Sequence, residues 1–152
     1  MTDKFENFVG TISRASKAIN RIKGQEMGQF GLKGTDSMCL YYLGKNNGGA
    51  TSAELSRQIG VDRAAVSRMV TRLENSGFVK TVLSPQGKNY RSPIVLTKKG
   101  EAATERINSI VRVVVERAID NIPEDERAAM YASLNGIIAN LEKLANEYRA
   151  RT

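Results

Sequence analysis

The stretch TSAELSRQIGVDRAAVSRMVTRLENSGFVKTVLSPQGKNYRSPIVLT, residues 51–97, decides the fold. Thr51 and Glu54 stand ahead of Leu55 and Ile59 in the T-x-x-E spacing with which a hydroxyl and a carboxylate cap a helix start reciprocally. Gly60 breaks that short helix, and Asp62 is placed to cap the next one. In the second helix Val66, Met69, Val70 and Leu73 recur at i, i+3, i+4 and i+7, a single apolar stripe. The other face carries Arg63, Ala64, Ser67, Arg68, Thr71 and Arg72. Small residues between arginines let a helix lie close in a major groove, where guanidinium forks fit guanine edges or phosphates. Gly77 is placed to end it. Helix, tight turn and helix together spell a helix-turn-helix.

After Gly77 the period changes from helical to extended. Residues 78–83 and 92–97 are rich in β-branched side chains and predict two strands, joined by a polar turn that contains Pro85 and Gly87. A hairpin that follows a recognition helix in this way is a wing. Its tip carries Lys88 and Arg91, and no Asp or Glu occurs between Glu74 and Glu101, an asymmetry suited to a phosphate backbone or a narrow minor groove.

Four pieces in this order and spacing resemble the winged helix of the MarR family, the bacterial multiple-antibiotic-resistance regulators. They are Leu55-Ser56-Arg57-Gln58-Ile59-Gly60-Val61, Val66-Ser67-Arg68-Met69-Val70-Thr71-Arg72-Leu73-Glu74, Gly77-Phe78-Val79 and the closing Leu96-Thr97-Lys98-Lys99-Gly100. With the flanking helices, the resemblance covers nearly the whole chain. It implies a mainly α fold with a small β wing, in one MarR-like domain over residues 1–152. Residues 35–100 would be the winged helix DNA-binding region, and residues 1–34 and 101–152 the dimerisation helices. The family pattern has an Asp two residues before the wing-tip Arg, and no acid stands there in this chain.

The chain's formal charge is +7. Between Thr51 and Gly100 nine Lys and Arg face three acids, so nearly all of the surplus lies on the winged-helix stretch. A charge run is ordinarily a solvated surface, but concentration on one motif of this topology favours nucleic acid. There is one Cys and no His. A single Cys forms no internal disulfide, the start of the chain lacks a signal-like apolar run, and a cytoplasmic protein is expected. The longest uncharged run, Ala128 to Leu141, is shorter than the ~18 residues of a membrane helix. Without His, and with neither a phosphate-binding glycine loop nor a nucleophile elbow, an enzyme is not expected, nor is a metal or other cofactor. Cys39, flanked by Met38 and Leu40, reads as a buried, inert thiol against the alternative of an oxidation sensor.

Outside the winged helix the apolar periods describe long helices. From Lys4 to about Lys23, Phe5, Phe8, Ile12, Ala15, Ile19 and Ile22 alternate steps of three and four, the seam of a helix that packs along another helix. Gly24, Gly28, Gly31 and Gly34 then predict a loop, which Phe30 and Leu32 plug into the core. A helix from about Thr35 through Leu43 follows, and Lys45 to Gly49 make a turn. Thr97 is placed to cap a helix running to about Asn121, and Pro123 with Glu124, Asp125 and Glu126 opens the last one. There Met130, Leu134, Ile137, Leu141, Leu144 and Tyr148 keep a coiled-coil spacing. Gly136 inside that run reads either as a close helix approach or as a tolerated surface glycine. The terminal seams could close on one another in a monomer, but two chains interleaving them bury more, and the family resemblance implies such a homodimer.

Two recognition helices about a twofold axis would read an inverted repeat in double-stranded DNA, with half-site centres roughly 34 Å apart. Arg63, Ala64, Ser67 and Arg68 are assigned to the major groove. Arg72, Lys88 and Arg91 are assigned to phosphates or the minor groove, and Thr51, Ser52 and Ser56 to phosphates at the edge. For each arginine the other reading is a solvated helix charge. Members of the family are mostly repressors released by a small molecule, often an aromatic acid, in a cleft between dimerisation helices and winged helix. Carried onto this chain, that cleft takes in Arg14, Lys17, Phe30, Met38, Tyr41 and Tyr42, although Met38 and the two tyrosines read equally as core. The competing function is a winged helix used to dock protein or RNA.

Overall fold

Local capping sets where the helices begin. In the computed structural model, which describes residues 3–47, 49–83, 85–87 and 91–151, Thr51 caps α3 (Ser52–Ile59) by accepting the Glu54 N–H, while Glu54 accepts the Thr51 N–H at 2.8 Å. Asp62 caps α4 (Arg63–Asn75) by accepting the Ala65 N–H at 2.7 Å. Between them Gly60 takes a left-handed φ of +79°, as the tight turn requires. At the end of α4, Gly77 at φ +78° lets its own N–H reach the Glu74 carbonyl and the Phe78 N–H reach that of Leu73.

The chain divides into two compact units, one up to Ile110 and one from Val111. The first contains a π-helical turn (Glu6–Gly10), α1 (Thr11–Gly28), α2 (Asp36–Lys45), α3, α4, β1 (Val79–Thr81), β2 (Ile94–Leu96) and the greater part of α5 (Lys98–Ile119). Its core joins Leu40 and Leu43 of α2, Leu55 of α3, the Val66, Met69, Val70 and Leu73 stripe of α4, and Phe78, Ile94, Ala103 and Ile107. α1 contributes Met27 to this core, whereas Phe5, Phe8, Val9, Ile12 and Ile19 stand exposed.

Two expectations are corrected. α1 runs on through Gly24 to Gly28, where a loop was expected. Buried Met27 anchors its last turn, and the backbone of Gly34 comes so near Gly24 that a Cβ on Gly34 would lie 3.0 Å from the Gly24 nitrogen. The strands are three residues long rather than six, antiparallel, with Val79 opposite Leu96 and Thr81 opposite Ile94. The Val82 N–H still bonds to the Pro93 carbonyl at 2.8 Å, but proline has no N–H to return, so the ladder stops. A bridge that sequence reading did not foresee, Ala50 to Ile94, ties the entry of α3 to the wing. α5 ends at Ile119, close to the expected Asn121.

The second unit contains the end of α5 and α6 (Glu124–Ala150), which Pro123 precedes as expected. None of its described residues is buried. Met130, Ile137, Leu141, Leu144 and Tyr148 keep the apolar period of α6 and are exposed. A Cβ on Gly136 would meet nothing within 4 Å. No helix among the described residues is long and apolar enough to cross a membrane.

Candidate nucleic-acid interface

The buried stripe of α4 turns the opposite side outward, so Arg63, Ala64, Ser67, Arg68 and Thr71 are all exposed. Beside them lies a notch of about 90 Å³ where three elements meet: Ser52 from the first turn of α3, Ser67, Val70 and Thr71 from α4, and Thr81, Ser92 and Ile94 from the wing. The structure thus brings Ser52 and Ser67 together, as a groove-facing surface needs. It adds Thr81 and Ser92, which the sequence did not mark, and Thr71, which the sequence places on this face without a contact assigned to it. Thr71 carried a signal, since it lies one turn beyond Ser67 on the same face. Ser92 carried none, because its place follows from strand pairing.

Other expected contacts have intramolecular partners. Thr51 uses its hydroxyl in the capping box. The Ser56 hydroxyl donates to the Val61 carbonyl at 2.5 Å and so closes the turn between α3 and α4. Arg72, expected at phosphates or the minor groove, has a partner within the chain. Its guanidinium grips Asp36, with Nη2 to Oδ1 at 2.6 Å and Nε to Oδ2 at 3.2 Å, because a carboxylate fully buried at the start of α2 needs a cationic partner. Its side chain is still 31% exposed, and the bond to Asp36 holds its pKa up. Lys99, part of the basic count, also has structural partners: its Nζ donates to the Ser76 carbonyl at 2.8 Å and lies 4.4 Å from the Phe78 ring centre. Arg91 is exposed on the wing, and Lys88 lies outside the described residues.

The residues expected around an effector have several kinds of surroundings. Phe30 meets Phe78 edge-on at 6.1 Å and packs on the core, as does Tyr42. Tyr41 and Tyr42 meet edge-on at 5.2 Å, with Lys45 Nζ 5.6 Å from the Tyr41 ring centre. Met38 is half-buried, Lys17 is exposed, and Arg14 Nη2 donates to the Thr11 hydroxyl at 3.3 Å. A larger polar cavity, about 440 Å³, lies elsewhere, lined by Asn46, Asn47, Gly49, Glu54, Arg57 and Gln58. Cys39 is fully buried, and burial, with the Asp36 charge adding, pushes its thiol up to about 12. Among the described residues no group of three His, Cys, Asp or Glu could hold a metal ion.

The MarR family model matches residues 30–88, from the loop after α1 into the wing. An uncharacterized HTH-type transcriptional regulator of Bacillus subtilis (strain 168), YwoH, is 26% identical over 124 residues, which are 81% of this chain and 88% of that protein. The crystal structure of a MarR family transcriptional regulator from Silicibacter pomeroyi superposes with a TM-score of 0.72 at 26% identity, covering 90% of this chain and 91% of that one. The S. aureus MepR-DNA complex contains a chain of the same fold, with a TM-score of 0.81 at 20% identity, covering 91% and 99%.

Proposed function

Since the chain belongs to the MarR family of transcription regulators, we propose that it is a homodimer that reads an inverted repeat in double-stranded DNA. It acts in the cytoplasm as a repressor, and a small aromatic acid releases it from its operator. One observation carries the DNA-binding reading: the outward face of α4 presents Arg63, Ala64, Ser67 and Arg68 to solvent, behind a helix fixed by a buried stripe. Bases are read by short residues that allow close approach and by arginine forks that reach guanine edges, and this face offers both. The solved S. aureus relative was crystallised with DNA.

Dimerisation is supported by apolar seams that the single chain leaves open. Phe5, Ile12 and Ile19 are exposed in the first unit, and Ile137, Leu141, Leu144 and Tyr148 in the second. Rows of this kind at helical spacing are the surface a second copy covers. Release by an effector requires only that the ligand favour a spacing of the two recognition helices that does not fit DNA. Arg14, Lys17, Phe30, Met38, Tyr41 and Tyr42 remain the residues proposed for it.

The test is binding of the purified protein to its own upstream DNA and to random duplex of equal length across a salt series. A much tighter complex with upstream DNA supports a sequence-reading regulator. Equal binding, with weak salt dependence, favours a docking module for protein or RNA. Sedimentation showing a stable 16.7 kDa monomer at micromolar concentration would sink the dimer. Arg68→Ala should cost roughly 1–3 kcal/mol on the operator and relax discrimination, whereas Lys88→Ala should weaken all sequences alike.

A further inference from the structure

Asp36, the first residue of α2, is fully buried, and its carboxylate accepts three hydrogen bonds. The Lys33 N–H donates to Oδ2 at 3.0 Å, Arg72 Nε to the same oxygen at 3.2 Å, and Arg72 Nη2 to Oδ1 at 2.6 Å. Arg72 stands in the last turn of α4, on the flank between the buried stripe and the outward face. The buried stripe sets which side of α4 faces the core, but apolar contact is non-directional and holds the last degrees of rotation less tightly than a directional bond does. A planar guanidinium held through two nitrogens fixes both a distance and an orientation. A buried ion pair adds little net stability over apolar residues of the same volume, so the property it does supply is geometry.

We infer that Asp36 and Arg72 are positioning residues for DNA reading: they set the rotation of α4 at which Arg63, Ser67 and Arg68 meet base edges. The inference rests on the DNA-binding reading above. Arg68 lies one turn before Arg72, so any rotation that the pair permits is transmitted to it directly. A turn of about 10° moves a point roughly 6 Å from the helix axis by about 1 Å. A shift of that size takes a bidentate contact out of hydrogen-bonding range.

The experiment uses the full chain, the tightest duplex selected from a random pool, and a random duplex of equal length. Affinities are measured across a salt series with thermal melts alongside. Asp36→Asn and Arg72→Gln should each lower the ratio of selected to random affinity by about tenfold, and the double variant should lose no more than the worse single one, because either change already breaks the pair. The slope of log affinity against log salt should stay at its wild-type value on both duplexes. Arg72→Lys, which keeps the charge but replaces the fork by a point donor, should lose discrimination too. The inference is overturned if Arg72→Gln flattens the salt slope on both duplexes while Asp36→Asn changes nothing, for Arg72 is then a phosphate contact. It is equally overturned if melting falls while the affinity ratio holds, for the pair is then structural only. Should Arg72→Gln fail to fold, Arg72→Lys and Asp36→Asn decide by the same criteria. A wild-type chain that itself prefers no sequence removes the DNA-reading premise. Preference kept by wild type and variants alike removes the positioning role alone.

Discussion

Replacing Gly100 by Ala tests whether packing dictates the last residue of the Leu96-Thr97-Lys98-Lys99-Gly100 string. A Cβ there would lie 1.9 Å from the Phe78 carbonyl oxygen and 3.2 Å from Leu96 Cδ2. The oxygen cannot swing aside freely, because it accepts the Thr97 N–H at 3.0 Å, at the residue that caps α5. To regain an ordinary contact near 3.4 Å the start of α5 must move by about 1.5 Å. That motion pulls on Ala103, Thr104 and Ile107, all buried in the same helix. Alanine brings a helix-propensity gain of about 1 kcal/mol. Against it stand about 1–3 kcal/mol for overpacking and about 1 kcal/mol for the weakened Thr97 bond. The net expectation is destabilisation by roughly 1–3 kcal/mol, followed by urea unfolding at one protein concentration so that oligomerisation does not shift the midpoint. Gly136→Ala is the control, also in a helix but with nothing within 4 Å of the new Cβ, and it should gain up to about 1 kcal/mol. If Gly100→Ala is stabilised by the same margin as Gly136→Ala, the close approach of α5 to Phe78 is wrong.

Thr51→Ala and Asp62→Ala each remove the side-chain acceptor from a helix start and should each cost about 1 kcal/mol in urea unfolding; unchanged midpoints would show that these caps are not formed. Glu54 is held below the ordinary carboxylate range, chiefly by the Thr51 backbone N–H and then by the Thr51 hydroxyl, so its charged form favours the fold. That contribution is present above the unfolded-state value and is lost as pH falls through the folded one. The melting difference between wild type and Glu54→Gln should therefore shrink on acidification, and a difference constant down to about pH 3 would refute it. Only a thiolate alkylates, so Cys39, pushed up to about 12, should react with iodoacetamide only as the protein unfolds. Prompt labelling of the native chain at about pH 8 would contradict its burial.

Legibility in the sequence followed the range of the interaction. The capping of α3 and α4, the turn at Gly60 and the ending at Gly77 involve groups a few residues apart, so Thr51, Glu54, Asp62 and the two glycines announced them. The α4 stripe was equally plain, because burial on one side of a helix leaves a period in the sequence. Gly24 misled for the opposite reason. Its low helix propensity is a local quantity, overridden by Met27 entering the core and by Gly34 lying against its backbone. The short strands followed from the missing N–H of Pro93, which a count of β-branched residues does not weigh. The Asp36–Arg72 pair joins residues 36 positions apart, and a tally of charge places Arg72 among the surface cations. Its position next to Leu73 and three after Met69, both buried, marked it as a flank residue within reach of the interior.

That distinction divides the residues of α4 by task. Asp62, the buried stripe and Arg72 hold the helix, whereas Arg63, Ala64, Ser67 and Arg68 face solvent, and their side chains make no hydrogen bond or ion pair among the described residues. Substituting an exposed helix residue without partners ordinarily changes stability by no more than about 0.5 kcal/mol. Losses at Arg68 or Ser67 therefore register on DNA and hardly at all on unfolding, while those at Asp62 register on both. Arg72 belongs to neither group alone, since it has its guanidinium on α2 and its backbone on the reading helix. A cycle pairing Arg72→Lys with Arg68→Ala separates the two tasks. If the role of Arg72 is to aim Arg68 together with its neighbours, losing both costs the operator complex less than the sum of the two single losses, whereas independent contacts add.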